Sequence, residues 1–278
     1  MSNHSRIAES VNDAYFTPEE SSEFCRELLK EHEWVTPDTV TLEPCVGSGS
    51  LVKSLPGTVI GCDLIDHGFP NVCVENYLTS SQRTVDCVFT NPPFGRMGSL
   101  ALKIMNKACQ DTNRVAMILP MSFRKISLVD RIDPWFHPVV DEELPNMMFE
   151  LPDGSKRKVL TVFQMWERRA TRRLRFKDVI HYGRYMRRVN PETAEYAFRT
   201  QGASAGKVLS GLDYNPASTA FLSGGRERVA SHDWTRIARF TAGIPAIGLN
   251  DVAYGLHLED QGKDISGYLQ KGCVSSLI

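Results

Sequence analysis

The segment VDCVFTNPPFG, residues 85–95, carries the strongest chemical signal in this 278-residue sequence. Its apolar residues predict a buried strand that ends at Thr90. The loop that follows consists of Asn91, Pro92, Pro93 and Phe94. Two prolines fix φ and remove two backbone donors, which makes the loop rigid with its carbonyls pointing outward. The Asn91 side-chain oxygen and a proline carbonyl are then two acceptors that can hydrogen-bond to both hydrogens of an exocyclic amine. Phe94 adds a face on which a base could stack, although Asn-Pro-Pro also ends many strands in a simple turn.

A glycine-containing loop lies upstream, in TVTLEPCVGSGSL at residues 39–51. It reads as a strand, then Glu43, then Gly47 and Gly49, then the start of a helix. Glycines allow a tight turn and a close approach of the backbone to a ligand. The loop lacks the full dinucleotide fingerprint and the lysine of a phosphate loop. Glu43 suits a positively charged ligand, and Asp63, at the end of the second predicted strand, can accept from ribose hydroxyls.

A helix start is predicted at YFTPEE, residues 15–20. Thr17 is expected to cap it, with Pro18 as the first helical residue and Glu20 completing a capping box. The helix N-terminus could also hold a carboxylate, such as that of a methionine moiety.

Buried strands alternate with helical patterns up to about Trp166, which predicts a mostly parallel sheet in an α/β fold. A further strand that follows a PDG turn is expected to close the sheet as a late antiparallel strand. The predicted strands are 39–42, 59–63, 72–75, 85–90, 114–119 and 159–166, with a helix at about 99–110. Beyond about residue 167, β-prone pieces at 179–185, 238–241 and 252–258 alternate with loops and predict a small β-rich appendage.

Charge is distributed unevenly along the chain, whose net charge is −1. Residues 156–188 contain twelve basic residues opposed only by Glu167 and Asp178, a net +10, so the rest of the chain carries −11. This pattern favours a polyanionic partner, although a solvated surface segment is an equal alternative. No apolar run approaches the roughly 18 residues of a membrane span. Without a CxxC pair or a signal peptide, the sequence predicts reduced cysteines, no metal site and a cytoplasmic protein.

FTP, EPCVGSGSL and NPPFG, in this order, resemble the gamma-group adenine-N6 methyltransferases and, within them, the methylation subunits of type I restriction–modification systems and orphan or phage enzymes. The resemblance covers residues 15 to about 166 and implies a Rossmann-like class I methyltransferase fold that binds S-adenosylmethionine. The cofactor contacts that it implies are Tyr15, Phe16, Thr17, Pro18, Glu43, Pro44, Gly47, Gly49, Asp63, Asn76, Tyr77 and Asn91. Asn91, Pro92, Pro93 and Phe94 would form the adenine site.

The sequence departs from that family in two places. Asn76-Tyr77 stands where the family has Asp-Phe, and Glu-Pro-Cys replaces Asp-Pro-Ala. The family also places a second aromatic against the target base, for which Phe149 is the candidate. The basic side chains expected to hold the substrate are Arg168, Arg169, Arg172, Arg173 and Arg175.

The resemblance implies direct in-line methyl transfer to N6 of a flipped-out adenine in DNA. Residues 1–168 would form the catalytic domain and 169–278 a small nucleic-acid recognition region, with no evident protein partner. Three alternatives stay open: an RNA adenine-N6 methyltransferase, a protein-glutamine methyltransferase, and a non-catalytic nucleic-acid binder on a methyltransferase scaffold.

Overall fold

The computed structural model describes residues 16–151, 153–241, 243–274 and 277, so Tyr15, an expected cofactor contact, lies outside the described residues. The chain divides into two compact units. The first comprises the residues up to Pro120 together with Trp135–Arg172, and the second comprises Met121–Pro134 and the residues from Arg173 onward. Residues 121–134, which the sequence placed in the first domain, therefore group with the second unit.

The helices of the first unit are α1 (Glu19–Glu31) and α2 (Ser99–Asp111). Its strands are β1 (Val40–Glu43), β2 (Thr58–Asp63), β3 (Cys73–Val74), β4 (Cys87–Thr90), β5 (Arg114–Pro120), β6 (Phe136–Glu143), β7 (Met148–Glu150), β8 (Lys156–Lys158) and β9 (Thr161–Arg168).

Seven of these strands form one sheet in the order β3-β2-β1-β4-β5-β9-β6. β1 pairs in parallel with both β2 and β4, whereas β9 runs antiparallel to its two neighbours, β5 and β6. The predicted Rossmann-like, mostly parallel sheet with a late antiparallel strand is confirmed. The strand order reverses between β1 and β4, and such a reversal opens a crevice at the carboxyl ends of the strands.

All six predicted strands are present, and continuous apolar runs explain why the central ones were predicted correctly. Every residue of β4 is buried, and only Arg114 of β5 is exposed, because parallel strands in the middle of a sheet are covered on both faces. α2 covers one face with a stripe that includes Ala101, Ile104 and Met105. On the core side, the rings of Phe89 and Phe163 pack edge to face with their centroids 5.9 Å apart.

Two features of the first unit were not predicted from the sequence. β6 contains Pro138, which a central strand would not tolerate, but β6 forms the edge of the sheet and its register shifts between Pro138 and Val140. β7 and β8 form a separate two-stranded hairpin.

The second unit contains the helices α3 (Ile126–Val129), α4 (Phe176–Val179), α5 (Arg226–Ala230), α6 (Thr235–Ala238), α7 (Leu249–Asp260) and α8 (Ser266–Lys271). Its strands are β10 (Arg187–Arg188), β11 (Tyr196–Arg199), β12 (Val208–Leu209) and β13 (Thr219–Ser223), in the order β10-β13-β11-β12.

The second unit therefore contains a sheet, but the sequence predicted its strands at the wrong positions. None of the three segments predicted as β-prone forms a strand. Residues 252–258 lie in α7, and the segments 179–185 and 238–241 lie at short helical turns. α7 is buried along most of its length, so it lacks the alternation of apolar and polar faces by which an exposed helix is recognised. In the described part of the chain, none of the helices has the length and apolar character needed to cross a membrane.

Candidate active site

A cavity lies at the carboxyl ends of the first four strands, where the strand order reverses. It brings together most of the residues that the sequence singled out. Those in its lining are Phe16, Thr17, Glu43, Pro44, Gly47, Asp63, Asn76, Tyr77, Asn91, Pro92, Pro93 and Phe94. The sequence did not predict other lining residues, which include Cys45, Ser50, Leu51, Ile65, His67 and Glu75. Of these, Glu75 could have been found because it follows β3 directly.

Asn91 is oriented by a residue 74 positions earlier in the chain. Its Nδ2 donates a hydrogen bond of 3.0 Å to Oγ1 of Thr17. With Nδ2 facing Thr17, the acceptor oxygen Oδ1 at the other end of the planar amide points away from Thr17. Thr17 therefore positions the side chain that the sequence predicted to bind the substrate amine.

The loop after Asn91 is anchored to the start of α2. The carbonyl oxygen of Phe94 accepts from the backbone N–H groups of Leu100 (3.1 Å) and Ala101 (3.3 Å). Gly95 has φ 65°, and a Cβ at this position would lie 2.7 Å from Cβ of Leu100. Only glycine fits this close approach, so the position of the loop is set by its packing on α2.

The FTP segment has a different role from the predicted helix cap. α1 begins at Glu19 with Pro18 as its N-cap, and no side chain caps it, so the predicted Thr17–Glu20 capping box is wrong. Instead, Oγ1 of Thr17 accepts a hydrogen bond from Nδ2 of Asn91. Phe16 pairs with Glu150 of the β7–β8 hairpin, since its N–H donates to the Glu150 carbonyl at 2.8 Å. Pro18 does not line the cavity.

Glu43 is the last residue of β1 and is 1% exposed. Burial raises the pKa of its carboxyl to about 8, and the nearby Asp63 carboxylate acts in the same direction. The N–H of Cys45 donates to Oε1 at 3.0 Å, which opposes this shift without cancelling it. A buried carboxyl of this kind is stabilised in its charged form by a cationic ligand.

Asp63, at the end of β2, fixes the glycine-containing loop. Its Oδ2 accepts from the N–H of Gly47 at 2.8 Å, and its Oδ1 accepts from the N–H of Ile65 at 3.3 Å. A carboxylate has about four acceptor positions. Two contacts therefore leave capacity for a ligand hydroxyl.

Gly49 supports the cavity from outside its lining. A Cβ on Gly49 would lie 2.4 Å from the ring of Phe69, and one on Gly61 would lie 2.5 Å from the same ring. The small residues thus make room for Phe69. The residues after Gly49 form successive turns: the N–H of Val52 donates to the Gly49 carbonyl, and the N–H of Leu55 donates to the Val52 carbonyl. The prediction that a helix starts here is therefore wrong.

Tyr77 and Asn76 occupy the third-strand end of the cavity. The Tyr77 hydroxyl donates to Oδ2 of Asp111 at 2.7 Å, and Lys107 donates to the same carboxylate. Burial raises the pKa of Tyr77, and the Asp111 contact adds to this effect, so the phenol stays neutral. Asn76 Oδ1 accepts from the N–H of Leu78 at 3.1 Å, which holds the turn after β3.

Cys45 lies within the cavity lining but is not a nucleophile at neutral pH. Burial raises the pKa of its thiol well above the usual range, and the Glu43 and Asp63 carboxylates raise it further. A thiol must lose its proton to attack. This environment suits a reaction without a covalent enzyme intermediate.

Phe149 does not line the cavity, contrary to its predicted stacking role. It is 1% exposed and packs in the hydrophobic core of the first unit. Its neighbours on β7, Met148 and Glu150, are exposed, because alternate residues of a strand face opposite sides.

The predicted substrate arginines also lie elsewhere. Thr90, next to Asn91, pairs with Met117, which pairs with Gln164 of β9. Arg168 is therefore about five residues, or roughly 16 Å, from Asn91 along the strand direction. It lies at the end of the sheet opposite the cavity. There, Arg168 and Arg172 lie over the ring of Trp135, and Arg169 pairs with Glu167 at 2.9 Å.

Arg173 and Arg175 belong to the second unit and have partners within it. Arg173 is 6% exposed and donates to the carbonyls of Val129 (3.0 Å) and Ile132 (3.3 Å). Arg175 pairs with Asp178 at 2.7 Å. Arg173 is thus a structural residue, and its predicted contact with substrate is wrong.

No protein-family model and no curated protein matches this sequence. A candidate RNA methyltransferase from Pyrococcus horikoshii is 19% identical, with a TM-score of 0.46, over 57% of this chain and 89% of that one. A candidate class I S-adenosylmethionine-dependent methyltransferase from Listeria monocytogenes is 13% identical, with a TM-score of 0.45, over 57% and 63%. The M protein of the type I restriction enzyme EcoKI is 18% identical, with a TM-score of 0.43, over 58% and 45%. The function must therefore be inferred from the cavity itself.

Proposed function

We propose that this protein is an S-adenosylmethionine-dependent methyltransferase that modifies N6 of adenine in DNA. One observation carries the proposal: the Asn91–Phe94 loop and the buried acidic groups Glu43 and Asp63 line the same cavity, at the point where the strand order reverses. Open α/β sheets bind their ligands at this position.

The charge of the cavity supports a cationic cofactor. Its lining contains the carboxyl groups of Glu43 and Asp63, and among the described lining residues none is lysine or arginine. Glu75 also lines the cavity, but its carboxylate pairs with Arg83 at 2.6 Å. S-adenosylmethionine carries an ammonium group and supplies, when bound, a methyl group on a positively charged sulfur. Glu43 would face this positive charge, and Asp63 would accept from the ribose. Phe16, Thr17, Pro44, Gly47, Asn76 and Tyr77 complete the proposed cofactor contacts.

The Asn91 loop supports an amine substrate. The N6 lone pair of adenine is delocalised into the ring, which makes it a poor nucleophile. Hydrogen bonds from the amine to Oδ1 of Asn91 and to the Pro92 carbonyl would localise the lone pair on nitrogen. Phe94 would stack on the base. Positioning and electrostatics then supply the rate enhancement.

A basic surface beside the cavity supports a nucleic-acid substrate. Lys156, Arg157 and Lys158 are all exposed on β8. Lys156 pairs with Glu150, which pairs with Phe16 of the cavity lining. The β8 side chains therefore lie within two strand spacings, roughly 10 Å, of the site. We propose that they, rather than Arg168, Arg169 and Arg172, hold the phosphates next to a flipped adenine.

The second unit is proposed to recognise the nucleic-acid target. The adjacent residues Arg187 and Arg188 are both exposed on β10, and Arg184 is exposed shortly before them. Exposed arginines of this kind can contact phosphates or base edges.

The test is transfer of labelled methyl groups from S-adenosylmethionine to DNA, RNA and protein offered separately. We expect label in DNA, and Asn91→Ala should abolish it. Asn113→Ala is the matched control, because Asn113 is exposed at the opposite edge of the sheet. Label in RNA alone would establish the RNA alternative, and label in protein alone would overturn the assignment of a nucleic-acid substrate.

A further inference from the structure

Met97 has a large apolar side chain that is exposed to solvent, close to the proposed adenine site. It is 83% exposed, although its neighbours in the sequence include the buried residue Gly98. Met97 lies three positions after Phe94, in the connection between β4 and α2. Exposure of a single apolar residue is ordinary on a protein surface, so its backbone must be considered too.

The backbone of Met97 is in the left-handed region, with φ 55° and ψ 30°. Residues other than glycine seldom adopt this conformation. Gly95 and Gly98 also have positive φ values, 65° and 73°, so three of the four residues from Gly95 to Gly98 have positive φ. An unfavourable conformation at an exposed residue suggests that the position of its side chain matters to function.

The turn that carries Met97 is fixed to the protein. The N–H of Gly98 donates to the carbonyl of Gly95 at 3.3 Å, and the Phe94 carbonyl accepts from Leu100 and Ala101 at the start of α2. Gly95 itself packs closely on Leu100. Met97 therefore projects from an anchored turn, and the adjacent exposed residue Arg96 adds a positive charge.

We propose that Met97 enters the base stack of duplex DNA and fills the space left by the flipped adenine. This inference rests on the proposed function. Apolar side chains, methionine among them, are inserted between base steps by proteins that distort DNA. Flipping a base breaks its stacking and pairing, and a side chain in the vacated space stabilises the open duplex. An apolar residue on a rigid turn, beside the site that would receive the base, fits this role.

Two variants separate the side chain from the backbone. Met97→Gly removes the side chain and keeps a residue that favours positive φ, so the turn should be retained. Met97→Leu keeps an apolar side chain of similar volume. Val74→Ala is the matched control, because Val74 is also an exposed apolar residue of the first unit, at 60%, and does not line the cavity.

The first measurement is binding to a short mixed-sequence DNA duplex with a central abasic site, compared with the same duplex fully paired. The wild type, Met97→Leu and Val74→Ala should prefer the abasic duplex, because the space for the side chain already exists there. In Met97→Gly, the ratio of the affinity for the abasic duplex to that for the paired duplex should fall roughly tenfold. A preference that is unchanged in Met97→Gly overturns the inference, as does an effect on RNA duplexes that is absent on DNA.

The second measurement is the rate of methyl transfer to double-stranded genomic DNA. Met97→Gly should be slowed roughly tenfold while its affinity for S-adenosylmethionine is unchanged. The two measurements can fail separately. If the wild type transfers no methyl group to DNA, the proposed function is wrong, yet loss of the abasic preference in Met97→Gly would still support insertion of Met97.

Discussion

Replacing Glu43 with glutamine should stabilise the ligand-free protein, and the gain should grow with pH. The carboxyl is buried with a pKa of about 8, against a reference value of 4.5. Between these two values the folded state keeps a proton that the unfolded state has lost, so stability falls as pH rises. The slope is about 1.4 kcal/mol per pH unit and vanishes above pH 8, where both states are ionised.

From pH 6 to pH 9 the wild type should therefore lose roughly 2.5 kcal/mol through this group alone. Glu43→Gln does not titrate and keeps an oxygen that can accept from the N–H of Cys45. The difference in the free energy of unfolding between the two proteins, measured by urea denaturation at several pH values, isolates the effect of Glu43. Glu31→Gln, which changes an exposed carboxylate on α1, is the control and should follow the wild type.

Parallel stability profiles for the wild type and Glu43→Gln would mean that Glu43 is already ionised without a ligand, contrary to the pKa of about 8. A second readout connects the group to function. S-adenosylmethionine should bind the wild type more tightly as pH rises towards 8 and the carboxylate forms, whereas Glu43→Gln should bind it more weakly, by roughly 1–3 kcal/mol, with little pH dependence.

Four further changes test other parts of the site. Asn91→Ala should abolish methyl transfer but leave the dissociation constant of S-adenosylmethionine within several-fold of normal. Thr17→Val should lower kcat because Asn91 loses its partner at 3.0 Å, and Thr17→Ser should restore it. Replacing the three basic residues of Lys156–Lys158 with glutamine should flatten the salt dependence of DNA binding by roughly 0.9 in log–log slope for each phosphate that is no longer neutralised, whereas the same change at 168, 169 and 172 should not. Arg173→Met should cost roughly 3 kcal/mol in urea unfolding with no change in that slope.

The sequence predicted the sheet well because its central strands are continuous apolar runs. A strand that is covered on both faces has apolar residues at nearly every position, as in β4 and β5, and such a run is easily recognised in a sequence. β6 was missed since Pro138 argues against a strand unless the strand is known to lie at an edge. α7 was misread because a buried helix and a buried strand share the same apolar composition.

The residues next to strand ends were also predictable, whereas roles that depend on packing were not. Glu43 and Asp63 are the last residues of β1 and β2, and Asn91 follows β4 directly. Parallel strands bring such positions to one edge of the sheet. Phe149 and Arg173 are buried by elements distant in sequence. Likewise, the charge run 156–188 gave no sign that β9 carries Arg168 to the end of the sheet opposite the cavity.

The proposed transfer of a methyl group to N6 of adenine in DNA can be observed in the product. The protein is incubated with DNA and S-adenosylmethionine labelled in the methyl group, the DNA is digested to nucleosides, and the labelled product is identified by mass spectrometry. The wild type should yield labelled N6-methyl-2′-deoxyadenosine, and Asn91→Ala should yield none. Label in a methylated cytosine, or N6-methyladenine formed equally by Asn91→Ala, would contradict the assignment.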